Sequence, residues 1–255
     1  AVIVLLVLDY RGGIASADAL RSEYGTIDTL WLPALAAAEG AGLLRQQGDR
    51  WDLTERGREL VREGRAAARA YLGTLHPIPD ADLARLADLL ELAFRASQDA
   101  PEPAARAHTA WGLRFRGTEP PDSAMVALEN AVYGLWMVRD DCHLAAWRSA
   151  GLDGPTVEVL TRIWRNEAGT VADLAGKLTQ QTADDVASAV ERLRRDGLLA
   201  AGEPLAVSRR GRALREGIEA ETDRLFFVPW PAEVGAQADW IAGRLRAVNA
   251  ALAPS

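Results

Sequence analysis

Two stretches of this chain repeat one another where chance rarely reproduces a pattern. Gly42-Leu43-Leu44 is followed by Leu53-Thr54-Glu55-Arg56-Gly57-Arg58. Gly197-Leu198-Leu199 is followed by Val207-Ser208-Arg209-Arg210-Gly211-Arg212. A Thr or Ser before the next periodic run is a start signal, since its hydroxyl accepts an orphan amide of the new helix. The chain therefore carries one structural unit twice, and each copy must find its own core.

In the first copy an apolar helix (Val2 to Tyr10) meets the Gly12-Gly13 break, and Ser16 then caps a short helix. After a turn at Gly25, a helix runs from about Ile27 to Gly40. Two strand-like runs follow, Leu43 to Arg45 and Trp51 to Leu53, joined across Gly48-Asp49, and a long helix from Glu55 to Leu72 closes the unit. The second copy reads Thr156 to Glu167, Val171 to Leu178, Ala183 to Asp196, a turn at Gly202-Glu203, Leu205 to Val207, and a helix from Arg209. This order resembles a winged helix-turn-helix of the MarR-like kind. The expected fold is mainly α, with two winged-helix units, each with a small two-stranded β wing, joined by a helical connector. The expected domains are residues 1–75, the connector 76–152 with a central helix over 123–150, the second unit 153–228, and a C-terminal strap and helix 229–255.

The connector opens after Pro77 and Pro79 with an acidic helix from Ala81 to Ser97. A proline-containing break, a TAWGLRFRG segment of open form and the central helix follow. After the second copy, Phe226-Phe227-Val228-Pro229-Trp230-Pro231 forms an apolar strap over core edges, and Val234 to Leu252 forms a last amphipathic helix.

At 255 residues the chain is long enough for real cores, and 49% hydrophobic with 25% charged residues is a soluble globular composition. A formal net charge of -7 repels polyphosphate, so nucleic-acid binding requires a local basic patch working against the global field. A single cysteine excludes an internal disulfide and a multi-cysteine metal site, and fits a reducing, cytoplasmic compartment. No metal and no cofactor is expected. The opening AVIVLLVL is too short for a transmembrane span and has no basic region before it, so no membrane partner is expected. The absence of an initiator Met leaves the natural N-terminus open. Lys177 is the only lysine, and the arginine bias is read as coding bias, not function.

The richest stretch lies between the copies, from Leu135 to Leu152, with His143, Cys142, Trp136 and Trp147. As a helix it presents Leu128, Leu135, Val138, Cys142 and Ala145 at core spacing. A second stripe at the same spacing reads Glu129, Tyr133, Trp136, Asp140, His143 and Trp147, alternating aromatic and ionisable groups as a pocket wall does. The plainer account of the stripe is an Asp and a His that satisfy each other and hold the helix in place. Arg139, Asp141, His143, Ala145 and Ala146 form an RxDxHxAA pattern. With the AGLDG after it and the ETDRLFFVPW tail, it resembles a family of bacterial helix-turn-helix proteins over roughly Leu128 to Trp230. That resemblance implies the fold and no activity.

Two functions compete on these residues. As a ligand-responsive transcriptional regulator, the chain would meet DNA through Arg45, Arg50, Arg56 and Arg58 around the first wing. Its recognition helices do not help: Ile27 to Pro33 has no basic residue, and the second opens Thr182-Ala183-Asp184-Asp185. Arg62, Arg65 and Arg69, like Arg209, Arg210, Arg212 and Arg215, read as solvated faces paired with glutamates. An operator-binding homodimer would gather basic surface from two chains.

The alternative is a winged-helix fold repurposed as a small-molecule binding protein or biosynthetic tailoring enzyme with weak or no DNA binding. Here His143 acts as acid/base, Asp140 or Asp141 orients it, and Arg139 holds an anionic group. Glu129, Tyr133, Trp136, Trp147, Trp111 and Arg114 form the walls, with Arg116 nearby. A third class, a protein-interaction module, depends on Phe226 and Trp230 being exposed.

Overall fold

The computed structural model describes residues 2–16, 31–116 and 120–253. The fold is mainly α. In chain order its elements are α1 (Val2–Tyr10), β1 (Ile14–Ser16), α2 (Trp31–Gly40), β2 (Leu44–Gln47), β3 (Arg50–Leu53) and α3 (Glu55–Leu72). These are followed by α4 (Asp80–Asp99), α5 (Ala107–Arg116), α6 (Ala124–Ser149), α7 (Gly154–Trp164), α8 (Val171–Lys177) and α9 (Ala183–Arg195). The chain closes with α10 (Arg209–Phe227), α11 (Ala232–Gly235) and α12 (Ala238–Leu252). It divides into two compact units, residues 1–61 with 146–220 and residues 62–145 with 221–255.

In the first unit the wing has a third strand. The sheet order is β1-β3-β2, both pairings antiparallel, with Ser16 opposite Arg50 and Gln47 opposite the same arginine on the other side. Ser16 therefore lies in a strand and does not cap a helix. Three residues carry too little local pattern to announce a strand, and β3 supplies the pairing that makes one. The expected short helix after Ser16, the turn at Gly25 and the recognition-helix start at Ile27 lie outside the described residues. Val4, Leu5, Leu8, Leu35, Leu44, Trp51 and Leu53 form the core beneath this sheet.

The joints flagged by the repeated sequence are built alike. Gly42 and Gly197 both sit at φ 70°, where a side chain is strained, each two residues past its helix, α2 and α9. The Thr54 hydroxyl donates to the Gly42 carbonyl at 2.8 Å and accepts the Gly57 amide at 3.1 Å. Ser208 does the same with Gly197 at 2.7 Å and Gly211 at 3.0 Å. Between these joints, the second stretch has only a single antiparallel bridge, Leu199 to Val207, in place of a strand pair.

Around that bridge, α7, α8 and α9 start on side-chain caps. Asp153 accepts the Thr156 amide, and Thr170 and Thr182 form capping boxes with Asp173 and Asp185. Val157, Leu160, Ile163, Leu174, Val186, Val190 and Leu193 are buried from these three helices. Arg215, buried on α10, bonds the Thr161 hydroxyl at 2.8 Å, pairs with Glu219 at 2.5 Å and lies over the Trp164 ring.

The second unit is helical. Leu83, Leu86, Leu90 and Phe94 of α4 pack with Leu128, Leu135, Val138 and Cys142 of α6, and α11 and α12 add Val234, Ile241 and Val248. Gly134 makes the approach possible, since a Cβ there would lie 2.8 Å from the Phe94 ring. The segment left open by its sequence is α5, with Gly112 against Met137. The strap is split: Phe226 is buried in the core and Trp230 packs against it, while Phe227 and Val228 are exposed. The last amphipathic stretch breaks at Ala236 and Gln237 into α11 and α12.

Candidate functional site

α6 gives the core seam its expected burial at Leu128, Leu135, Val138 and Cys142, with Ala145 half-buried. The second stripe does not behave as one wall. Trp136 is 59% exposed, Trp147 only 3%, and Glu129, Tyr133, Asp140 and His143 lie between. Asn130, Met137, Asp141 and Leu144 are buried too, so α6 is covered on more faces than a helix with one core face and one pocket face.

Nδ1 of His143 lies 3.0 Å from the hydroxyl of Thr222, on α10. Of Asp140 and Asp141, it is Asp141 that lies 3.0 Å from Nδ1 of His108. The same carboxylate accepts the His108 amide at 3.0 Å, the Thr109 amide at 2.8 Å and the Thr109 hydroxyl at 2.8 Å. Those amides belong to the first turn of α5, where no intrahelical acceptor exists. Asp141 thus caps α5 from another helix.

Burial pushes the Asp141 carboxyl up, but the bonds from His108 and Thr109 outweigh it and hold it below the ordinary carboxylate range. Asp140 goes the other way: burial raises it, and the Asp141 charge adds to the rise against the pull of His108 and Arg139. Arg139 reaches Asp223 at 3.4 Å. The three polar residues of the RxDxHxAA pattern thereby tie α6 to α5 and to the end of α10.

Trp111 meets His108 edge-on at 4.7 Å, and Arg114 is exposed on α5. A cavity lies elsewhere in the same unit. Arg62, Arg65 and Arg69 of α3, Phe115 and Arg116 of α5, Asp122, and Glu129 and Asn130 of α6 line a cavity of about 630 Å³. Of these residues, the sequence reading put Glu129 in the wall of its expected pocket and Arg116 near it. The α3 sequence explains the space: the arginines recur at spacings of three and four on one face, and Ala66, Ala68 and Ala70 leave the volume beside them unfilled. The reading of these arginines as a solvated face registered their charge and missed the cavity.

Arg69 donates to the Pro120 carbonyl at 3.1 Å and lies 3.7 Å from Asp122. Arg116 bonds Glu91 at 2.5 Å and lies over the Phe94 ring at 4.4 Å. Burial raises the Glu129 carboxyl against the pull of Arg69. Tyr133, raised by burial and by Asp140, lies against Phe115 with centroids 4.1 Å apart and planes tilted by 34°, and meets Trp136 edge-on at 5.9 Å.

The predicted DNA contacts divide. Arg45, Arg50 and Arg56 are exposed, with Arg45 3.7 Å from Asp52 and Arg56 donating to the Ala41 carbonyl at 3.3 Å. Arg58 is half-buried, with its guanidinium against Gly13. On α9 the exposed positions include Asp184, Ser188 and Glu191, while Arg192 pairs with Asp153 and Arg194 with Glu191 and Glu203.

Among the described residues, no group of three or more His, Cys, Asp or Glu is placed to hold a metal ion, and no helix is long and apolar enough to cross a membrane. In comparison with known proteins, the model of a helix-turn-helix family matches residues 61–255. The match takes in the cavity, the RxDxHxAA residues and α7 to α12, and it begins within α3. No curated protein and no solved structure matches the chain.

Proposed function

The chain belongs to a helix-turn-helix family, and from that membership we propose that it is a ligand-responsive transcriptional regulator made of two MarR-like winged-helix copies. Its DNA contacts are placed on the first copy's wing, and its effector site in the arginine-lined cavity. The observation that carries the DNA arm is the exposure pattern of β2, where Leu44 is buried and Arg45, Gln46 and Gln47 are exposed in succession. A strand lying on a core alternates, so three exposed residues in a row mark a hairpin that extends past it as a wing does. Arg45, Arg50 and Arg56 offer that wing cationic donors for phosphate oxygens. A homodimer acting in the cytoplasm would double this surface.

A second reading, a small-molecule binding protein without DNA, is favoured by one observation. The exposed positions of α9 include Asp184 and Glu191, and Arg192 and Arg194 are occupied by carboxylates. A groove-reading helix places its first residues against base edges, where acidic groups face phosphate.

Fluorescence anisotropy of labelled duplexes over a salt series separates the two. Tight binding to the protein's own upstream region, falling steeply with salt and stronger than to random duplex, is the result expected of the regulator. No binding to either duplex at low salt removes the DNA arm and leaves the second reading.

A further inference from the structure

We propose that the cavity between α3, α5 and α6 binds an organic anion, a carboxylate or phosphate monoester on a flat apolar body, with its charged end among Arg62, Arg65 and Arg69 and its body against Phe115. This deepens the ligand-responsive reading and rests on it only in taking the cavity as a ligand site. Three observations converge. With Arg116 matched to Glu91, the four arginines of the lining face three carboxylates, Glu91, Asp122 and Glu129, so the cavity keeps a local positive balance within a protein whose net charge is -7. Guanidinium forks match the paired oxygens of a carboxylate or phosphate, and such charge-assisted pairs gain strength away from bulk water.

The volume, about 630 Å³, falls in the range that holds organic ligands and far exceeds what a bare inorganic anion fills. Phe115 then supplies the apolar side. Its ring is held by Tyr133, with centroids 4.1 Å apart and planes tilted by 34°, an aromatic surface that a planar ligand meets without ordering new side chains. The alanines between the arginines keep the approach open.

The test is isothermal titration calorimetry on the full chain without DNA, using 1-naphthoate, 1-naphthyl phosphate, the uncharged 1-naphthamide and inorganic phosphate. At least one aryl anion is expected to bind tenfold or more tighter than both 1-naphthamide and inorganic phosphate. The stronger of the two aryl anions identifies the head group. The double variant Arg62→Gln/Arg65→Gln is expected to lose at least tenfold in affinity. Ala66→Phe, which fills the cavity from an exposed helix position without changing charge, is expected to lose binding even if the arginine variant folds poorly.

Equal binding of the amide, no binding of either aryl anion at millimolar concentration, or unchanged affinity in well-folded variants overturns the proposal. Because DNA is absent from the assay, a protein that takes the anion and binds no duplex sinks the regulator and leaves this site standing. A protein that binds its upstream region and takes neither aryl anion does the reverse.

Discussion

Ser208 closes on Gly197: its hydroxyl donates to the Gly197 carbonyl at 2.7 Å while accepting the amide of Gly211 at 3.0 Å. The next helix turn is thereby pinned to the end of α9, and Gly211 sits so close to the Leu198 carbonyl that a Cβ would collide with backbone. Gly57 has the same relation to the Leu43 carbonyl. Backbone cannot swing aside as a side-chain tip does, so Gly57→Ala and Gly211→Ala are each expected to destabilise by about 1–3 kcal/mol, against about 1 kcal/mol for Ser208→Ala. Thermal unfolding followed by circular dichroism checks this. Wild-type melting for either alanine variant contradicts the packing.

Cys142 is completely buried on α6, and burial pushes its thiol up to about 11. Only the thiolate attacks disulfide reagents, so native protein is expected to react with dithionitrobenzoate at pH 8 on the order of a hundredfold slower than the unfolded chain. The rate should rise along the denaturant unfolding curve. Fast, complete labelling under native conditions would place this helix face in solvent.

Much of the architecture was legible because the joints are local. The Gly-Leu-Leu matches at Gly42 and Gly197 and the Thr54 and Ser208 starts all act between residues close in the chain. What escaped depends on distant partners. β1 exists because Arg50 to Asp52 pair with it, and α5 owes its first turn to Asp141, 32 and 33 residues away in sequence from Thr109 and His108. The candidate site shows the same limit. Periodicity put Asp140 and His143 on one stripe, but His143 finds Thr222, 79 residues on. The spacing of Arg62, Arg65 and Arg69 was visible too, yet a cavity needs α5 and α6 opposite them.

If the wing reads DNA as proposed, Arg45 and Arg50 each neutralise a phosphate. Each lost contact lowers the slope of log affinity against log salt by about 0.9 and weakens all sequences alike. Arg45→Gln/Arg50→Gln is therefore expected to reduce the slope by about 2 while leaving the preference for the upstream fragment nearly unchanged. An unaltered slope in anisotropy titrations takes DNA off the wing.

Asp140 and Asp141 are neighbours in sequence with opposite electrostatic environments, and acid titration of stability should separate them. The folded carboxyl of Asp141 lies below its ordinary value, so its contribution is present above the unfolded carboxylate range, near pH 4, and is lost as pH falls through the folded value. Asp141→Asn is expected to cost about 1–3 kcal/mol at pH 7, since the first-turn amides of α5 and Nδ1 of His108 lose a charged acceptor, and the deficit should shrink on acidification. Asp140 is raised, mainly by burial, so its charged form opposes folding: the penalty is absent below the unfolded range and grows as pH rises through the folded value. Asp140→Asn should therefore stabilise at pH 7 and lose that advantage in acid. Thermal melts of both variants from pH 3 to 7 decide it. If the two curves run parallel to wild type, the carboxylates are equivalent in the fold and the cap assigned to Asp141 is wrong. If Asp141→Asn alone converges on wild type from below as pH drops, Asp141 is the residue that fixes α5 against α6.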